Sequence, residues 1–166
     1  ANGSSTLTLS GTETQINAAL ATISYQGDSN FNGSDTFTIL STDSDGVPLS
    51  DTDTVAITVS PVNDAPVNTV PGAQTVNEDA ALNITGVSVT DVDGNLATSQ
   101  ISVSDGTLTV SLTGGATISA GANGSSTLTL SGTETQINAA LATISYQGNL
   151  NFNGSDTFTI LSTDSD

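Results

Sequence analysis

Apolar residues alternate with Thr or Ser along most of the chain. The alternation is plain in Thr6-Leu7-Thr8-Leu9-Ser10, in Thr36-Phe37-Thr38-Ile39-Leu40, and over residues 54–59, 82–89 and 100–104. A period of two puts every second side chain on one face, so each run predicts a strand with one buried face. Asp105-Gly106 ahead of Thr107-Leu108-Thr109-Val110 predicts a tight hairpin, and Asn-Gly pairs at Asn2-Gly3, Asn32-Gly33, Asn123-Gly124 and Asn153-Gly154 predict turns. One segment breaks the alternation. Thr12-Glu13-Thr14-Gln15 has capping-box spacing, and Ile16, Ala19 and Leu20 behind it share a helical face. A short helix is therefore expected here and again over residues 133–141, closing one end of a sandwich.

Residues 1–45 recur as residues 122–166, differing only at Asp28 against Asn149 and Ser29 against Leu150. Near-identity over that length means tandem duplication, with a period too long for a solenoid and right for a whole domain. Pro61 and Pro66 flank Val62-Asn63-Asp64-Ala65 and bar a ladder hydrogen bond on either side, which marks a junction. The expected organisation is the C-terminal part of one repeat at 1–62, a linker at 63–66 and the next repeat at 67–166, lacking its last strand. About eight short strands per repeat at 8 to 12 residue spacing predict an all-β, Ig-like Greek-key β-sandwich with one short helix per repeat. The chain lacks Met and starts in mid-pattern, so it is expected to be a fragment of a longer protein.

Charge narrows the chemistry. There are 17 acidic residues and no Lys, Arg or His, so no basic side chain is available to any carboxylate; each needs water, a backbone N–H or a metal ion. Nucleic acid and anionic membrane surfaces are excluded as partners, since nothing neutralises phosphate. No apolar run approaches the ~20 residues of a spanning helix. Cys is absent, which removes disulfides and thiolate sites and leaves Ca²⁺ as the expected staple of an extracellular chain. Catalysis is not expected: only a carboxylate pair remains, as in glycoside hydrolysis, without Trp and with two Tyr to seat a sugar ring.

Residues 40–43, 46–50 and 55–59 with Val62-Asn63-Asp64-Ala65-Pro66 resemble the closing strands and linker of a cadherin domain. Residues 76–80 and 87–95, with Glu78 and Asp91-Val92-Asp93-Gly94-Asn95, resemble its opening glutamate and Asp-x-Asp loop. The Asn-Phe-Asn-Gly-Ser-Asp-Thr-Phe run at 30–37 and 151–158 is similar to a signature of bacterial cadherin-like repeats in large secreted adhesins of the RTX or biofilm type. That resemblance implies a Ca²⁺ shell of Asn63, Asp64, Glu78, Asp91, Asp93 and Asp164, with a backbone oxygen from Asn95; Asp43, the twin of Asp164, would serve the preceding junction. Pro61 stands where the family linker begins with Asp, which implies one or two ions per junction rather than three.

For Asp91-Val92-Asp93-Gly94 the alternative is a solvated turn, but the lack of any basic partner favours metal. Asp45 and Asp166 are read as turn residues, and Asp51 and Asp53 as edge charges. Thr-x-Thr runs suit exposed strand faces. The function these readings imply is a structural extender of a bacterial extracellular adhesin, its tandem sandwiches stiffened by calcium for cell adhesion or biofilm formation. The alternatives are a self-assembling extracellular filament, in which copies of the chain complete one another by strand addition, and a carbohydrate-binding module. The expected partners are neighbouring repeats of the same chain and copies of itself, at the bacterial cell surface.

Overall fold

The computed structural model describes residues 3–44 and 46–166. Asp45 and the first residue of the Asn2-Gly3 turn lie outside them. The chain divides into two compact units, Ala1–Pro61 and Val62–Asp166, so Asn63 and Asp64 belong to the second.

The first unit holds helix α1 (Glu13–Leu20) and an antiparallel pair, β1 (Gly33–Thr42) with β2 (Ser50–Val59), in unbroken register from Gly33 opposite Val59 to Thr42 opposite Ser50. None of its described residues is buried.

The second unit is all-β and sandwich-like, with one short helix. In chain order it comprises β3 (Val67–Thr69), β4 (Ala81–Asn83), β5 (Ser88–Thr90), β6 (Leu96–Ser102), β7 (Gly106–Thr109), β8 (Thr117–Gly121), β9 (Thr127–Ser131), helix α2 (Glu134–Leu141), β10 (Ser145–Gly148) and β11 (Thr159–Asp164). These form a sheet β4-β10-β7, a sheet β11-β6-β9-β8 and a pair β3-β5. Period-two patterning delivers the core: in β9, Leu128 and Leu130 are fully buried between half-buried Thr127, Thr129 and Ser131. Ile101, Leu108, Val89 and Ile144 join them, and α2 adds Ile137, Ala140 and Leu141, the twins of the face expected from Ile16, Ala19 and Leu20.

Both helices carry the full capping box. Thr133 Oγ1 accepts from Gln136 N, and Gln136 Oε1 accepts from Thr133 N, as Thr12 and Gln15 do in α1. Two orphan N–H groups are satisfied within four residues, which is why the helix forms in either setting.

Three expectations are corrected. The run Thr6-Leu7-Thr8-Leu9-Ser10 forms no strand, because no neighbouring strand pairs with it. The run at 82–89 is not one strand: it splits into β4 and β5 around Gly86, at φ +82, a conformation that L side chains rarely adopt. Asp105-Gly106 is not a hairpin either, because β6 and β7 lie in different sheets. The corner is fixed from a distance. Asp156 Oδ1 and Oδ2 accept from Ser104 N (2.9 Å) and Asp105 N (3.0 Å), and Oδ1 also accepts from Thr157 N. At Gly106 a Cβ would come within 2.5 Å of the Gln147 carbonyl, so only glycine allows β7 to approach β10 there.

Desolvation works to raise the Asp156 pKa, but the three backbone N–H bonds and the nearby Tyr146 hydroxyl outweigh it and leave the carboxyl below its ordinary value. The single Tyr146 proton goes to the Asp105 carbonyl at 2.7 Å. Burial first, then the adjacent Asp156, pushes the phenol up.

Two outcomes are expected. Leu141→Ala lowers stability by about 2–5 kcal/mol in urea unfolding, through lost burial and a cavity in the core. Asp156 contributes stability that is present above the ordinary aspartate value of 3.8 and is lost as pH falls through its lower folded value. Asp156→Asn flattens that acid limb in a pH series of unfolding midpoints.

Candidate cation site

The segment after Pro61, the loop after β5 and the chain after β11 meet within the second unit through polar side chains. Asn63 Nδ2 donates to Asp164 Oδ2 (3.1 Å), and Asn95 Nδ2 donates to both Asn63 Oδ1 (2.9 Å) and Asp166 Oδ2 (3.0 Å). Asp64 N donates to Asp93 Oδ2 at 2.6 Å. The loop itself is an Asx turn: Asp91 Oδ1 accepts from Asp93 N and Gly94 N at 3.0 and 3.2 Å, and Gly94 takes φ +70.

Helix α2 holds this loop in place. Asn138 Oδ1 accepts from Val89 N (2.9 Å) while its Nδ2 donates to Val89 O (2.8 Å), so one side chain pairs both main-chain groups of the middle residue of β5. Glu134 Oε2 accepts from Asp91 N at 2.9 Å. The helix's first turn thus receives a backbone donor directly beside the Asp91 carboxylate.

Two oxygens in this cluster are buried without a hydrogen-bond partner, Asp91 Oδ2 and Asn95 Oδ1. Asp91 is only 8% exposed. A buried carboxylate oxygen with neither donor nor counter-charge is costly, and such an atom in a folded protein needs a partner of some kind. The chain has no basic side chain to offer. Both orphans are hard oxygen donors, one anionic and one a carboxamide, which is the donor chemistry of a Ca²⁺ shell. The residues therefore fit a hard divalent cation. Among the described residues no group of three or more carboxylate, His or Cys side chains is by itself placed to hold a metal, so such a shell would have to draw on the Asn side chains and main chain as well.

The expected ligand set is gathered in part. Asn63, Asp64, Asp91, Asp93, Asn95 and Asp164 come together. The Asn95 main-chain oxygen, expected as a ligand, accepts from Ser165 N (3.1 Å), and the Asn95 side-chain oxygen is buried without a donor. Glu78 instead lines a groove that none of these residues lines. Asp43 lies in the first unit, its Oδ1 accepting from Leu49 N. Asp166, read as a turn residue, joins the cluster through Asn95. Glu134 and Asn138 were not expected at all: they lie 43 and 49 residues from the groups they bind, and no local pattern reports that.

These features define a class, a β-sandwich module with an oxygen-lined loop cluster at one end. The particular family follows from comparison. The family described as Protein GAMETE EXPRESSED 2 domain matches residues 1–52 and 71–166, and the chain belongs to it. No curated protein and no solved structure matches the chain. The match overturns the resemblance to bacterial cadherin-like adhesin repeats, since the family is one of eukaryotic gamete proteins. With it falls the expected role as a calcium-stiffened extender of a bacterial adhesin in cell adhesion or biofilm formation.

Asn138→Ala leaves the N–H and C=O of Val89, itself 1% exposed, without partners. The expected loss is about 1–3 kcal/mol in chemical denaturation. Asn17→Ala, the same change in α1, leaves stability within about 0.5 kcal/mol, as surface substitutions usually do.

Proposed function

We propose that the chain is a non-catalytic β-sandwich module of an extracellular, gamete-expressed protein, whose second unit takes one hard divalent cation of the Ca²⁺ class at the Asp91 loop. The family's name supports the gamete setting. The single observation that carries the cation is the pair of buried, partnerless oxygens, Asp91 Oδ2 and Asn95 Oδ1, in a chain without basic side chains. Asp91 and Asn95 would hold the ion, with Asn63, Asp93, Asp164 and Asp166 as neighbouring oxygen donors. When bound, the ion supplies positive charge among carboxylates whose charges otherwise only repel one another.

The residues around it bind and orient. Asn95 ties the segment after Pro61 to the chain after β11, and Glu134 and Asn138 fix the loop from the helix side. The role supported is therefore mechanical: the cluster joins an early and a late segment of the unit, and a bound ion would strengthen that joint. The non-catalytic reading rests on residue chemistry. The chain has no His, Cys, Lys or Arg to act as base or nucleophile. The Asp156 carboxylate is engaged by three backbone N–H groups.

The test is thermal unfolding of the chain in Ca²⁺, in Mg²⁺ and in chelator. With Ca²⁺ at 100 times its Kd the stabilisation is about 2.7 kcal/mol. Asp91→Asn keeps an oxygen acceptor for the loop N–H groups but removes the charge, so it abolishes the calcium increment and leaves the melting temperature in chelator unchanged or higher. Equal melting temperatures for the unaltered chain in Ca²⁺ and in chelator would sink the proposal.

A further inference from the structure

Five tripeptides in the chain have the form Asn-x-Ser or Asn-x-Thr, the acceptor pattern for an N-linked glycan in a secreted protein. Four are Asn-Gly-Ser, at Asn2, Asn32, Asn123 and Asn153, and one is Asn83-Ile84-Thr85. Asn83, in β4, and Asn123, between β8 and β9, stand in opposite surroundings within the second unit.

Asn83 is exposed, and its carboxamide hydrogen-bonds to no described residue. Strand alternation turns Leu82 and Ile84 toward the core and the groove beside it, and puts Asn83 and Thr85 together on the outer face, both exposed. The amide and the hydroxyl that define the acceptor are therefore presented side by side. Across the sheet Asn83 lies opposite Ser145, and Ser145 opposite Thr109; the next row is Ala81, Gln147 and Thr107. None of these is a carboxylate, although the chain has 17. The face is small, uncharged and rich in hydroxyl groups, a surface over which a neutral sugar chain can lie.

Asn123 is held instead. Its Oδ1 accepts from Val110 N and its Nδ2 donates to Val110 O, both at 2.9 Å, and Gly124 N donates to Leu108 O at 2.8 Å. The two side-chain bonds close a ring through one residue, so the donated proton lies on the oxygen side of the amide. A sugar linked in the trans amide arrangement takes that position and opens the ring.

We propose that Asn83 is an N-glycan acceptor and that Asn123 is not, an inference that rests on the reading of the chain as part of an extracellular protein of a eukaryote. The donor is an oligosaccharide carried on a lipid pyrophosphate. Transfer forms a bond from Asn83 Nδ2 to the anomeric carbon of the first sugar and breaks that carbon's bond to phosphate oxygen; the lipid pyrophosphate leaves and Nδ2 gives up one proton. β4 keeps its backbone pairing with β10 throughout, and the outer face gains a bulky, solubilising cover.

The test sends the chain through the secretory route of a eukaryotic cell and reads glycan mass on peptides from the secreted product. An acid-specific protease is used, since the chain offers trypsin no Lys or Arg; it separates Asn83, on residues 80–91, from Asn123, on residues 106–134. The expected occupancy at Asn83 is about tenfold or more above that at Asn123, where a glycan forfeits two part-buried hydrogen bonds. Asn83→Gln and Thr85→Val each remove the glycan, and Asn83→Gln keeps the melting temperature of the unglycosylated chain within about 2 °C. A bare Asn83 beside a co-secreted, fully modified acceptor protein, or equal occupancy at Asn83 and Asn123, would overturn the proposal. The calcium increment is measured on the same Asn83→Gln chain, so loss of the glycan site and loss of the cation site are read independently.

Discussion

Negative charge without a counter-charge governs this molecule. With 17 acidic side chains and no Lys, Arg or His, each ordered carboxylate must find main-chain or amide N–H groups, water or an ion. The structure shows the main chain taking most of that work. Asp156 gathers three N–H groups and fixes the corner between sheets, Asp79 accepts from Asn151 N, and Glu134 accepts from Asp91 N. Carboxylates here serve as acceptors that fold loops. The same rule makes Asp91 Oδ2 conspicuous, because among the described residues it alone of the buried carboxylate oxygens has no donor.

The second constraint is the core, which lies in the second unit. Sixteen buried apolar residues lie in the second unit and none among the described residues of the first, although 43 of the 45 duplicated positions are the same. The helix shows the contrast most simply. Ile137, Ala140 and Leu141 are buried against strands β5, β6 and their neighbours, while Ile16, Ala19 and Leu20 have no such strands to cover.

Much of this was legible beforehand. Period-two runs located most strands, the capping box located both helices and their apolar face, and acidic and amide residues in short loops located most of the oxygen cluster. Three things were not. The Asp105-Gly106 corner looked like a hairpin because Asp-Gly chemistry is local, whereas its cause, Asp156, is 51 or 52 residues away. Glu134 and Asn138 carried no sign of their partners at β5. The family could not be read from motifs, since short Asp, Asn and Gly motifs are turn chemistry shared by many sandwiches.

The duplication separates the two levels of control. By itself the sequence determined what closes within a few residues: helix and capping box form in both copies, and Asn30 and Asn151 both take left-handed backbone, near φ +59 and +58. Tertiary structure decided the strands. Residues 127–131 are β9 between β6 and β8, yet their twins at 6–10 form no strand; residues 145–148 are β10 between β4 and β7, yet their twins at 24–27 do not pair. A helix satisfies its own backbone. A strand must borrow a neighbour's, so the same residues are a strand only where the fold supplies one.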